Sequence, residues 1–378
     1  MTGRLLALTP AAIPVAIDPA VRAAIMQGAW VAFSLSGGKD STLAAWAASD
    51  LLDRLGHPQG RRIAIHADLG RAEWRSTPVM VEAVADRLGV PLLVVRRSAG
   101  DMVARWEQRF ESGKARYAAL ETYNLIGPWS SSSLRFCTSE LKVAQIGSEL
   151  ARRFRGQTII SVIGLRREES TARRFTPISR SDHRFAAPGN RAGTRMLSWH
   201  PLVDWTAQEV FAAHDRHGLP LHESYRIYGA SRLSCAFCVL ASGADLDAAA
   251  RAPDNADLYR HLVGMELEST FSFQPGRWLA DVAPRLLGSV LRSRIDGAKR
   301  DADERRRIEA GMPGGLRFVK GWPPRVPSLR EASQIAAARC VILARHGLPD
   351  HFPDAVSVRA RFAELLEAKE ARASRREH

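Results

Sequence analysis

The sequence predicts an α/β fold: a doubly wound, mostly parallel sheet with a helical C-terminal region. Three observations carry that expectation. Short apolar, β-branched runs alternate with longer helical patterns through the first half of the chain. A glycine-containing hexapeptide separates the first such run from the first helical pattern. Beyond about Asp245 the strand-like runs stop and the pattern turns helical. Alternation at this spacing is the mark of βαβ units, whose crossover helices cover both faces of a parallel sheet.

Taken in order, Trp30-Val-Ala-Phe-Ser-Leu35 reads as a buried strand and residues 41–55 as its helix. Arg62-Ile-Ala-Ile-His-Ala67 is the second strand, residues 78–88 the second helix, and Pro91-Leu-Leu-Val-Val95 the third strand. Residues 138–154 form a helix leading into the strand Thr158-Ile-Ile-Ser-Val-Ile163. Residues 172–198 are rich in Arg, Ser, Gly and Pro without periodicity, and read as a mobile loop near the site. Residues 298–309 read as a solvated helix face, 329–346 and 357–371 as amphipathic helices, and 372–378 as a frayed tail. Thr206 with Glu209 three positions on forms a capping box opening another helix. The division this suggests is an N-terminal extension at 1–27, a central domain at 28–242 and a helical region at 243–378.

Composition limits the function. With 46% hydrophobic and 25% charged residues, a chain of 378 residues buries a full core. The formal charge of +14 comes from 54 basic against 40 acidic residues, nearly all the basic ones arginine. Such a surface favours polyanions, either the phosphates of a nucleotide or a nucleic-acid partner. No run of about 18 apolar residues occurs, so no membrane span is expected. The first residues make a poor signal peptide, since Asp18 and several prolines interrupt them. Cysteine stands only at 137, 235, 238 and 340, too few for a disulfide scaffold, and a reducing cytoplasm is expected.

The hexapeptide Ser36-Gly-Gly-Lys-Asp-Ser41 lies where the first strand ends and a helix begins. Gly37 and Gly38 allow a positive φ and close approach to a bulky anion. The exposed N–H groups and the positive helix end suit phosphate oxygens, Lys39 adds a point charge, and Asp40 or Ser41 can cap the helix. The spacing fits neither the Walker A loop nor the dinucleotide-binding glycine turn.

This segment resembles the PP-loop of the ATP pyrophosphatase superfamily, and within it the phosphoadenosine phosphosulfate (PAPS) reductase family. The resemblance covers roughly residues 28–242 and rests on separated motifs. His66-Ala-Asp-Leu-Gly70 is similar to the family's His-x-Asp-Thr-Gly, with Leu69 replacing threonine. Gly164-Leu-Arg-Arg-Glu-Glu-Ser170 with Arg173 follows Gly-x-Arg-x-x-Glu-Ser-x-x-Arg, and His200-Pro-Leu-Val-Asp-Trp-Thr206 follows a further family segment read as structural. Arg135-Phe-Cys-Thr-Ser-Glu-Leu-Lys142 and Ser234-Cys-Ala-Phe-Cys238 are similar to the family's two cysteine motifs.

The resemblance implies a nucleotide, ATP or PAPS, held by Ser34, Ser36, Gly37, Gly38, Lys39, Asp40, Ser41, Asp68, Gly164, Arg166, Glu169, Ser170 and Arg173. Mg²⁺ would sit near Asp40 and Asp68. Lys39, Asp40, Arg166 and Lys142 would be catalytic; the alternative for Lys142 is an exposed helix lysine and for Asp68 a turn acid. Cys137, Cys235 and Cys238 would hold an iron–sulfur cluster of the 4Fe–4S kind, with zinc and no metal as alternatives. Cys340 reads as a small core residue. Two departures matter. The chain lacks the C-terminal Glu-Cys-Gly-Ile/Leu-His segment of thioredoxin-dependent PAPS reductases, and Cys137 is not doubled as in the cluster-containing APS reductases. The expectation is therefore ATP-dependent sulfur transfer through an adenylated intermediate, with PAPS or APS reduction and a non-catalytic nucleotide-binding protein as alternatives. A nucleic-acid acceptor, a sulfur or electron donor protein and a homo-oligomer are compatible partners.

Overall fold

The computed structural model describes residues 12–377. These divide into two compact units: the described residues up to Met102 with Leu134–Asn255, and Val103–Ser133 with the chain from Ala256 onward. The start of the expected 1–27 extension and the end of the expected frayed tail, His378, lie outside the described residues.

The first unit opens with α1 (Pro19–Met26), β1 (Trp30–Ser34), α2 (Lys39–Arg54), β2 (Arg62–Asp68), α3 (Thr77–Leu88) and β3 (Leu92–Arg96). It resumes with a three-residue helix α5 (Phe136–Thr138), a π turn at Ser139–Val143, α6 (Ala144–Arg153) and β4 (Thr158–Ile163). Then follow β5 (Ser179–Ser181), β6 (Arg195–Trp199), α7 (Ala207–His217), α8 (Glu223–Arg226) and α9 (Gly243–Arg251). The sheet runs β3-β2-β1-β4-β6-β5, parallel except for the antiparallel edge strand β5. Val31 and Phe33 pack into a core with α1, α2, α3 and α7, while Ala32, Ile63 and Ile159 face α6 on the other side. Burial on both faces explains why these strands read as continuous apolar runs. The strand order reverses between β1 and β4, and ligands of such sheets sit outside the carboxyl ends at that switch.

One expectation changes in the sheet. Residues 172–198 are not structureless, since β5 and the first residues of β6 lie within them. Ser-Arg-Ser at β5 has no apolar period, so nothing in its side chains announces a strand. Within the expected extension, Val21 and Ile25 sit in the β1 core, and Trp199 Nε1 donates to Ala16 O at 2.7 Å.

The second unit contains α4 (Met102–Ala118) from its second residue on, then α10 (Ala256–Ser269), α11 (Ser289–Gly311), α12 (Leu329–Arg345) and α13 (Ala355–Glu377). Helix α4 has no counterpart among the expected elements. The charged stretch 298–309 is not wholly solvated: Ala298, Ala302 and Arg305 are buried. Cys340, expected in the core, lies exposed on α12. Residues 372–377 continue α13.

Candidate functional site

A cavity of about 340 Å³ opens at the carboxyl ends of the strands, at the β1/β4 switch. Its wall includes Ser34, Ser36, Gly38, Asp40 and Ser41 from the first strand–helix turn, with Gly164, Glu169 and Arg173 from the segment after β4. Arg135, Thr138 and Lys142 come from the helix bearing Cys137, and Ser234 from the residue before Cys235. Lys142 is presented by the π turn, a local widening that recurs at functional sites.

The glycine turn is tightly built. Gly37 has φ +72°, and Ser41 Oγ accepts from Ser36 N at 3.2 Å while donating to Gly38 O at 2.9 Å. Gly164 packs against the first turn of α2, where a Cβ would stand 2.4 Å from the carbonyl carbon and oxygen of Asp40. Glycine at the head of the arginine motif is therefore a steric requirement.

Not every expected ligand residue faces the cavity. Lys39 is 2% exposed and its ammonium bonds Asp40 Oδ2 at 3.1 Å and Ser231 O at 3.2 Å, between the rings of Phe211 and Tyr225. Arg166 is also buried, donating to Asp40 Oδ1 at 2.6 Å and to Glu168 at 2.5 Å. Burial opposes its charge, but Asp40 and Glu168 outweigh that and raise its pKa. Asp40 is thus the clasp between the two basic residues. Asp68 turns aside, accepting from Gly70 N at 2.6 Å and Arg96 Nε at 2.5 Å. Gly37, Lys39, Asp68, Arg166 and Ser170 do not belong to the lining.

The three motif cysteines lie in the first unit, outside any disulfide and outside the cavity lining. Burial first, then Cys238, with Cys137 and Glu73 adding to it, pushes the Cys235 thiol up, while Lys142 pulls it down. Among the described residues, however, no three His, Cys, Asp or Glu side chains are gathered closely enough to hold a metal ion. Nor do the carboxylates fit Mg²⁺, since both oxygens of Asp40 hold basic side chains and Asp68 faces Arg96.

Several lining residues were not expected. His66 is buried between Leu35 O at 3.0 Å and Glu73 Oε2 at 3.3 Å; burial opposes its charge, yet Glu73 raises its pKa. Ser161 and Ser198 lie level on β4 and β6, and Ser161 Oγ is 3.3 Å from Ser34 Oγ. A serine inside each of three apolar strands was the available signal. Arg180 comes from β5, and Asp182, Arg184 and Phe185 from the β5–β6 connection. Burial alone would raise the pKa of Asp182, but Arg184 at 2.5 Å lowers it.

A parallel sheet with a glycine turn, an arginine segment and a polar cavity at its switch point defines a nucleotide-binding α/β domain. The chain belongs to the phosphoadenosine phosphosulfate reductase family, within the adenine nucleotide alpha hydrolase-like superfamily, because that domain matches residues 30–240. It is also 29% identical over 242 residues to an uncharacterized 37.8 kDa protein in the gpa 5′ region of Escherichia phage 186, covering 56% of this chain and 68% of that one. Family membership implies an adenine nucleotide as ligand. No described helix is long and apolar enough to cross a membrane.

Proposed function

We propose that the protein binds ATP in the cavity at the β1/β4 switch and uses it in sulfur transfer, through adenylation of an acceptor oxygen. The observation that carries this reading is the meeting of the glycine turn, the Gly164–Arg173 segment and Lys142 in one cavity. The acceptor oxygen attacks the α-phosphate, forming an acceptor–O–P bond as the bond to pyrophosphate breaks. Gly38 N–H, the Ser36 hydroxyl, Lys142 and Arg173 supply preorganised positive charge and donors for the phosphate oxygens, while Ser41, bonded to Gly38 O, holds the turn. Lys39 and Arg166 act through Asp40, by fixing the turn.

Cys137, Cys235 and Cys238 are the candidate sulfur-handling residues, as holders of an iron–sulfur cluster or zinc. Their thiol chemistry suits either group, but they are not gathered into a ligand set, so no step here runs through a metal. Reduction of PAPS or APS is the alternative; it needs a thiol facing the sulfonate, and no cysteine lines the cavity.

The test is anaerobic assay under reducing conditions with ATP, PAPS and APS in parallel, together with iron, sulfide and zinc analysis. Pyrophosphate release from ATP is expected, falling roughly 10²-fold in Lys142→Ala. Sulfite release from PAPS without turnover of ATP would transfer the assignment to the reductase; tight ATP binding with no turnover would make it a nucleotide-binding regulator.

A further inference from the structure

One phenol oxygen joins the phosphate turn to the cysteine segment. Tyr225 Oη accepts from Lys39 N, the first amide of α2, at 3.3 Å and from Leu233 N, two residues before Cys235, at 2.9 Å. Lys39 makes a second tie through its ammonium on Ser231 O at 3.2 Å. The Tyr225 ring stacks edge-on with Phe211 at 5.6 Å, and both rings flank that ammonium at 5.2 Å.

The cysteine segment is anchored at two further places. Ser231 N and Oγ bond the Asp245 carboxylate at 2.7 and 3.0 Å, and Ser242 Oγ reaches the same carboxylate at 2.7 Å, so one acid closes the loop 231–242. Ala236 N donates to Ala72 O at 2.8 Å. Ser231 and Leu233 are thus tied to the glycine turn through Lys39 and Tyr225.

We propose that Tyr225 is a positioning residue that couples nucleotide occupancy of the glycine turn to the reactivity of Cys235. This rests on the reading that the turn holds a nucleotide. Tyr225 and Leu233 both line the cavity, so an arriving phosphate comes up against the phenol itself. Lys39 N is a first-turn helix amide, a donor that anions favour. Its bond to the neutral phenol is the longer of the two, and a phosphate oxygen, which makes the stronger charge-assisted bond, displaces it. The phenol then keeps only Leu233, and the lever from the turn to Cys235 moves. A nucleotide thereby signals its presence to the thiol without touching it.

The experiment follows alkylation of Cys235 by iodoacetamide in the full chain, in a Cys340→Ser background, with the modified cysteine located by peptide mass. Rates are compared with and without a non-hydrolysable ATP analogue, in parallel with equilibrium binding of that analogue. A change of threefold or more on binding is expected, reduced to less than 1.5-fold in Tyr225→Phe while the analogue still binds. Amide exchange at Leu233 in the unsubstituted protein, expected to change on analogue binding, serves if that variant misfolds. Binding with equal alkylation rates and unchanged Leu233 exchange overturns the coupling and leaves the ATP reading intact. An equal nucleotide response in Tyr225→Phe overturns the role of Tyr225. Failure of the analogue to bind at all overturns both.

Discussion

At the scale of single residues, sequence chemistry spoke for residue types where the backbone demands them, and less for where side chains point. The glycines were legible because backbone geometry leaves few substitutes. Gly164 is the sharpest case: a methyl group there meets the backbone of Asp40 at 2.4 Å and Ser41 N at 2.5 Å, and no side-chain rotation relieves a backbone clash. Gly164→Ala should therefore displace the start of α2 and cost about 2 kcal/mol or more. Denaturant unfolding would show this, with nucleotide affinity lost alongside; unchanged stability would mean the segment after β4 does not pack on α2 as described. Lys39 shows the limit of this reasoning. Its type and position suit a phosphate, but its ammonium is held by Asp40, Ser231 O and two aromatic rings, three of them far away in sequence. A single sequence carries no sign of partners nearly two hundred positions on.

At the scale of elements, local signals were read where the determinant is local. Thr206 and Glu209 close the expected capping box, with Thr206 Oγ1 accepting from Glu209 N at 3.2 Å and Glu209 Oε2 accepting from Thr206 N at 2.7 Å. Thr206→Ala removes one of those bonds at an exposed helix start and should destabilise the protein by about 1 kcal/mol, measured as a lowered denaturant midpoint with unchanged slope. Thr206→Asn, which restores an acceptor, should recover most of it; failure to recover would assign the loss to something other than capping. Strand β5 is the opposite case. Three residues on a sheet edge are held there by pairing with β6, not by their own pattern. The π turn at Ser139–Val143 is equally silent, because its side chains keep a helical pattern while the backbone widens.

At the scale of the whole molecule, the helical character of the C-terminal region was legible, but its recruitment of Val103–Ser133 was not, since that depends on contacts distant in sequence. One consequence of this second unit reaches the stability of the protein. Glu266 is fully buried, accepting from Phe273 N and Leu279 N at 2.7 Å and from Ala280 N at 2.9 Å. Burial pushes its pKa up to about 7 against the pull of those amides. His346, edge-on to Phe110 at 5.9 Å, is driven the other way by burial and then by Arg305, to about 4. For Glu266 the folded state holds the proton more tightly, so its contribution to stability is complete below the ordinary 4.5 and lost as pH rises to about 7. For His346 the folded state prefers the neutral ring, so its contribution is complete above the ordinary 6.5 and lost as pH falls towards about 4. The Glu266 effect is on the order of 3 kcal/mol, that of the half-buried His346 smaller through solvent screening, and between pH 4.5 and 6.5 the two oppose one another. Removing either should expose the other. Relative to the unsubstituted protein, Glu266→Gln should lose melting temperature steeply on acidification through that window, whereas His346→Leu should gain it. Calorimetry at fixed ionic strength reads both as differences from the parent, which cancels groups elsewhere such as His222, whose pKa burial also pushes down to about 4. Parallel pH profiles for parent and both variants would show that these two buried groups do not set the acid response of the fold.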